Sequence, residues 1–126
     1  MNNKTALITG SSKRIGKSIA LSLAEKGYNI AIHYNKSKLE AEKVVDEIKF
    51  MGVNAKCFKL NLENITKVKS FFRSVTKHFK SIDLLINNAS IFEYDSLKSS
   101  TIKSVDQHLN VNFKAPFFLI KFFVEQ

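Results

Sequence analysis

Cysteine, proline and glycine are all scarce in this chain of 126 residues, which has one, one and four of them and no tryptophan. A lone cysteine, Cys57, excludes an internal disulfide and any cysteine-based metal cluster, and fits a reducing compartment. His33, His78 and His108 show no metal-ligand spacing with Cys57 or with one another, so no metal is expected. Acidic residues are few, 11 against 20 Lys and Arg, for a net charge of +9. That balance suits an anionic partner, either a phosphorylated cofactor or a nucleic acid. The lysines are spread over every segment instead of forming one stripe, which argues for solvated helix faces and against nucleic-acid binding. Long hydrophobic runs are also missing. The opening MNNKTALITG is too short in apolar residues for a signal peptide, and the Phe-rich end is broken by Asn112, Lys114 and Lys121. A cytoplasmic location and no membrane span are therefore expected. The length allows one domain or less, and 44% hydrophobic residues can build a core.

What the chain does contain is organised around Thr9-Gly10-Ser11-Ser12-Lys13-Arg14-Ile15-Gly16. Thr5 to Thr9 reads as a short buried strand, and Ile15, Ile19, Ala20, Leu23 and Ala24 recur behind it at helical spacing. A strand, a glycine turn and a helix start form the context of a phosphate site, because the turn and the helix N-terminus present unpaired N–H groups. Gly10 permits the tight turn, and Gly16 lets the helix sit close to the strand or the ligand. An ordinary strand-to-helix turn would share this pattern.

Strands and helices then alternate. The first helix is expected to end at Gly27, followed by a strand at Asn29 to His33. Ser37 with Glu40 has the spacing of a capping box, opening a helix with Ala41, Val44, Val45, Ile48 and Met51 on one face and Gly52 at its close. A third strand is expected at Ala55 to Leu60, a third helix on Ile65, Val68, Phe71, Phe72, Val75 and Phe79, and a fourth strand at Ile82 to Asn87. This alternation predicts an α/β fold, a doubly wound parallel sheet with right-handed crossovers. From Ser104 a last helix is expected; between Val111 and Val124 it is apolar on all sides and needs cover on all sides, and Pro116 should bend it. His78 is placed at a helix end that favours a cation.

Three stretches together resemble the short-chain dehydrogenase/reductase family: Thr9-Gly10-x-x-x-Arg14-Ile15-Gly16, Asn87-Asn88-Ala89-Ser90 after strand four, and Asn112 in Asn-Phe-Lys-Ala-Pro-Phe. The resemblance covers the whole chain in order, although the family's catalytic domain is roughly twice as long, as its fuller sheet requires. Lys13-Arg14 stands where most members have a residue and a middle glycine, and Ser90 where most have glycine. With His33-Tyr34-Asn35-Lys36-Ser37 and Ala115-Pro116-Phe117-Phe118-Leu119-Ile120-Lys121, these variants are similar to the pteridine reductases.

An NAD site usually places an acid after strand two to bond the ribose 2′-hydroxyl. Here the first acid is Glu40, beyond the turn, while Asn35, Lys36 and Ser37 offer donors and positive charge suited to a 2′-phosphate. The expected cofactor is NADP(H). The resemblance places Gly10, Ser12, Lys13, Arg14, Ile15 and Gly16 on the pyrophosphate side, and Tyr34, Asn35, Lys36 and Ser37 around the 2′-phosphate. Asn61 and Leu62 fall beside the adenine, and Asn88, Ala89 and Ser90 lie at the strand-four edge. Arg14 is assigned either to the pyrophosphate or to the substrate edge; Ser90 joins the substrate side, and Phe92 either stacks on the substrate or is a buried loop residue. Asn61 replaces the family's frequent Asp but keeps an amide donor and an acceptor.

Asn112 resembles the family's catalytic Asn, which supports a proton relay through bound water. The family's acid–base pair is Tyr-x-x-x-Lys, in which the cation lowers the Tyr pKa. Tyr34 with Lys38 and Tyr94 with Lys98 match the string, but neither has the family's position, and the true pair would lie beyond Gln126. The resemblance thus implies one NADP-binding half-domain over residues 1–126, with strand order 3-2-1-4. It is the N-terminal part of an NADPH-dependent reductase of a pterin-like or carbonyl substrate, and alone it is expected to be inactive. The alternative is a non-catalytic remnant or binding subunit that pairs with a separate C-terminal half. Either a homo-oligomer or that half would cover the helix at 104–124.

Overall fold

A computed structural model describes residues 3–126. Four parallel strands, β1 (Thr5–Ile8), β2 (Asn29–Tyr34), β3 (Ala55–Lys59) and β4 (Leu84–Ile86), form one sheet in the order β3-β2-β1-β4. Ala6, Leu7 and Ile8 of β1 lie between Ile30, Ala31 and Ile32 on one side and Leu84, Leu85 and Ile86 on the other. The unbroken apolar runs of β1 and β2 follow from this central position, since both faces of a parallel sheet are covered. Side chains alternate between two cores. Ala6, Ile8, Ile30 and Ile32 pack with Ala20 and Ala24 of α1 (Arg14–Glu25) and Val44 and Ile48 of α2 (Lys38–Phe50). Leu7 and Ala31 face the opposite core, with Val68, Phe71, Phe72 and Val75 of α3 (Val68–Phe79).

The chain moves outward from β1 to β3 on one face and then crosses to β4 on the other side of β1. The carboxyl ends of β1 and β4 therefore flank the point where the winding reverses, the place where open α/β sheets leave a crevice. The expected strand order is the observed one.

Several local features depart from expectation. Ser37 precedes α2, but its side chain makes no capping bond to the helix, so the proposed box with Glu40 does not form. Met51 lies beyond α2, on the surface. Instead, a capping box starts the last helix earlier: Thr101 Oγ1 accepts the Ser104 N–H at 3.0 Å, and Ser104 Oγ accepts the Thr101 N–H at 2.9 Å. That helix is α4 (Ile102–Leu109), followed by a π turn at Asn110–Lys114 and then α5 (Ala115–Glu125). The Ala115 N–H reaches the Asn110 carbonyl, a five-residue step that widens the helix at Asn112. Pro116 sits in the first turn of α5, where its missing N–H is tolerated. The apolar stretch is half covered by this chain. Val111, Ala115 and Leu119 enter the core, while Phe113, Phe117, Ile120 and Val124 remain exposed. Among the described residues, no helix is long and apolar enough to cross a membrane.

Candidate functional site

Thr9 leaves β1 fully buried and holds the exits of β1 and β4 together. Its Oγ1 accepts the N–H groups of Asn88 at 3.0 Å and Ala89 at 2.9 Å. In return Asn88 Nδ2 donates to the carbonyls of Thr9 and Gly10, both at 3.1 Å. This stapling engages the residues just past the expected end of β4 at Asn87, and the strand itself stops at Ile86. Gly10 follows at φ +61°, a left-handed conformation, with Ala89 only 3.1 Å from where a Cβ would stand. Gly16 has a different task. A Cβ there would overlap the Gly10 carbonyl oxygen and lie 2.6 Å from Asn88 Nδ2, so only glycine lets α1 start directly over the turn.

The amino end of α1 has no capping side chain and no acid in its first turn, and both Lys13 and Arg14 are exposed beside it. Its free N–H groups and its charge suit an anion. Arg14 has φ +53°, the left-handed region, at the position where the family has its middle glycine. A non-glycine residue held there stores about 1–3 kcal/mol of strain, and such strain gathers at functional sites. Arg14→Gly is therefore expected to raise stability by about 1 kcal/mol while weakening the anion site. Chemical denaturation read beside cofactor titration would check both effects.

Around the opposite rim, β2 runs to Tyr34, whose side chain is buried, followed by half-buried Asn35, exposed Lys36 and half-buried Ser37. Because the Ser37 hydroxyl is not used for capping, it remains free for a ligand. Past β3, Asn61 Oδ1 accepts the Glu63 N–H at 3.0 Å, so its carbonyl is committed while its NH2 faces out. The Leu62 side chain belongs to the core and can meet a ligand only through its backbone.

The turn, the β2 exit and the β3 exit enclose a hollow of 170 Å³. Gly10, Ser12, Tyr34 and Asn35 line it from one side, and Asn61, Leu62, Ala89 and Ser90 from the other. Lys13, Arg14, Ile15, Gly16, Lys36 and Ser37 lie outside that lining, and Asn88 lies beneath it. A larger groove of 700 Å³, lined by residues such as Ile65, Phe113, Phe117 and Phe118, runs along α5 on the apolar outer face. The hollow at the sheet's carboxyl edge is the one the topology marks.

The loop after β4 is held from below. Asn112 Oδ1 accepts the Ile91 N–H at 2.9 Å and its Nδ2 donates to the Ile91 carbonyl at 2.8 Å. His108 Nε2 accepts the Glu93 N–H at 3.2 Å. Bonds from the Ser99 and Ser104 hydroxyls and the Ser96 N–H hold the Asp95 carboxyl below its usual range. Phe92 is 88% exposed on this loop, which excludes the buried alternative and leaves a free aromatic face. The Asn112 amide is held by these two bonds, which tie it to the loop, and its backbone carbonyl lies in the π turn. In an α-helix that carbonyl would accept from position 116, and Pro116 has no N–H.

His33 has no role of its own in the sequence, where it only opens the His33–Ser37 stretch of the resemblance. It is 2% exposed; its Nδ1 accepts the Gly10 N–H at 2.9 Å and its Nε2 lies 2.9 Å from the Leu60 carbonyl. Burial lowers its pKa, offset in part by the Leu60 carbonyl. His78 lies in the last turn of α3 as expected, and burial lowers its pKa, with Lys56 and Lys49 adding to the effect. Burial and the charge of Glu42 push the Cys57 thiol up, so it is no activated nucleophile. Among the described residues, no group of His, Cys, Asp or Glu could hold a metal.

A parallel sheet with a glycine turn and a bare helix N-terminus at its switch point defines a dinucleotide-binding type of α/β domain. More specifically, the chain belongs to the short chain dehydrogenase family, whose model matches residues 4–126. It is 43% identical over 115 residues to the 3-oxoacyl-(acyl-carrier-protein) reductase FabG of Staphylococcus epidermidis, covering 91% of this chain and 47% of that protein. Among solved structures, a short chain dehydrogenase from Burkholderia cenocepacia in complex with NADP superposes at TM-score 0.93 with 35% identity, covering 98% of this chain and 50% of that one. The FolM alternative dihydrofolate reductase 1 of Brucella canis, complexed with NADP, does so at TM-score 0.89 with 34% identity, covering 95% and 48%. The chain spans about half the length of the curated relatives it matches.

Proposed function

We propose that this chain is the NADP(H)-binding part of a short-chain oxidoreductase resembling the pteridine reductases, which reduces a dihydropterin or a related conjugated C=N or C=O substrate. The observation that carries it is the rim after β2, where no acid precedes Glu40 and the Ser37 hydroxyl stays uncommitted beside Lys36. A carboxylate would repel a 2′-phosphate, whereas a lysine and a hydroxyl bind it with charge-assisted hydrogen bonds. The cradle around Gly10 and Gly16, which any Cβ would fill, suits a pyrophosphate on the α1 N-terminus.

When bound, NADPH supplies the hydride. The chain's own residues bind and orient. Lys13, Arg14 and the α1 amides neutralise the pyrophosphate, while Asn61 and the Leu62 backbone meet the adenine. Ala89 and Ser90 form the floor at the β4 edge. Arg14 and Ser90 reach the substrate edge, the exposed face of Phe92 stacks on a flat ring, and the Asn112 carbonyl holds the relay water. We place the general acid outside this stretch. Tyr34 has its side chain buried at the end of β2 and Tyr94 is 95% exposed on the loop, so neither suits the role. The outer face of α4 and α5 is covered by a second copy or by a C-terminal half, and the protein works in the cytoplasm.

Replacing both Lys36 and Ser37 with alanine is expected to cut the preference for NADPH over NADH by about 10–100-fold, the range for charge-assisted bonds to one phosphate. An unchanged preference would refute the cofactor assignment. The 43% identity to a 3-oxoacyl reductase favours a second reading, an acyl thioester ketone as substrate. NADPH oxidation by the natural full-length product separates the two. A kcat/KM for 7,8-dihydrobiopterin at least about tenfold above that for an acetoacetyl thioester supports the pterin reading, and the reverse order selects the ketone.

A further inference from the structure

The imidazole of His33 ties together two loops that are far apart in sequence. Gly10 can only donate through its N–H, so Nδ1 is the acceptor and the neutral ring carries its proton on Nε2, donated to the Leu60 carbonyl. The backbone adds two further ties: the His33 N–H donates to Ser11 Oγ at 3.2 Å, and the Ser11 N–H donates to the His33 carbonyl at 3.1 Å. Phe71 of α3 presses on the ring edge-on, with centroids 5.6 Å apart, and fixes its plane. The ring thus leaves no polar atom idle, and it is held in one orientation. Its two partners are the first residue of the phosphate-type turn and the residue just before Asn61.

We infer that His33 is a positioning residue for the dinucleotide, holding the phosphate turn and the adenine-side turn at one fixed separation. This inference rests on the NADP(H) reading above. Removing the Nδ1 acceptor leaves the Gly10 N–H without a partner beneath the turn, and the left-handed Gly10 conformation loses its anchor. Removing the Nε2 donor frees the β3 exit instead. The titratable groups sharing the hollow are Tyr34 and Glu63. The residues bonded to or stacked on the ring, Gly10, Leu60 and Phe71, carry no charge.

The test compares two substitutions in the natural full-length product. His33→Asn sets an amide oxygen where Nδ1 lies and keeps the bond to Gly10, whereas His33→Gln reaches Leu60 and loses Gly10. His33→Gln is expected to raise the KM for NADPH by about tenfold with kcat at saturation within about twofold, and His33→Asn to stay within about threefold in KM. A merely structural role predicts less folded protein for both, with KM unchanged, and that result overturns the inference. On the unmodified protein, the imidazole 15N signals of His33 should report the Nε2–H tautomer and shift when NADPH is added. Signals that do not move overturn the inference, even if neither variant folds. If the unmodified protein does not bind NADPH, the cofactor reading falls and takes this inference with it. Binding that both variants leave unchanged removes the inference alone.

Discussion

Gly16→Ala is expected to abolish cofactor binding, with a loss of NADPH affinity of at least about 100-fold, because one added methyl group has no room. Its Cβ would clash with the Gly10 carbonyl oxygen and stand 2.6 Å from Asn88 Nδ2. Backbone atoms cannot rotate away as a flexible side chain would. Helix α1 must retreat from the turn, and a shift of about 1 Å in a positioning element is enough for about a 100-fold effect. Overpacking of this kind also destabilises by about 1–3 kcal/mol. Thermal unfolding and NADPH fluorescence titration of the variant check the two effects together. An alanine variant with unaltered affinity would show that α1 does not need to lie against the Gly10 carbonyl.

Thr9→Val is expected to destabilise the fold by about 2–4 kcal/mol, the sum for two N–H groups left without an acceptor. Valine matches threonine in shape, so packing is nearly preserved and the loss isolates the hydroxyl. That hydroxyl is the common acceptor for Asn88 and Ala89, 79 and 80 residues further along the chain. Thr9→Ser should recover most of the stability. Equilibrium urea unfolding of the three forms measures it, and equal midpoints for threonine and valine would contradict the staple.

Which parts of this architecture were legible in the sequence depended on how local their causes are. Alternating strand and helix periodicities are short-range patterns, and they pointed to a parallel sheet, while the strand order 3-2-1-4 that the structure has followed from the family resemblance. Gly10 and Gly16 were legible because few residues fit such a turn. Ser37 was misjudged as a cap because a Ser-x-x-Glu spacing does not fix where the hydroxyl points. The π turn at Asn110–Lys114 was hidden for a related reason: one inserted residue changes a bonding register without changing composition. Pro116 was the visible trace of it, read as a bend. Arg14 carried a signal only in part. Its replacement of a family glycine was plain, but the φ of +53° shows that it keeps the glycine's backbone conformation. His33 was opaque because its partners, Gly10 and Leu60, lie 23 and 27 residues away and bond through their backbones.

The outer face of α4 and α5 shows the same limit from another side. The all-round apolar pattern does not say which side this chain covers: Leu119 is buried, while Phe117 and Val124 stay exposed.

The central claim is that the rim after β2 selects a 2′-phosphate and that the glycine turn holds the pyrophosphate beside it. Isothermal titration of the unmodified protein with NADPH and with NADH tests that claim most directly. The structure predicts NADPH binding at least about tenfold tighter, the difference made by charge-assisted bonds to one phosphate. Equal affinities, or tighter binding of NADH, would contradict it.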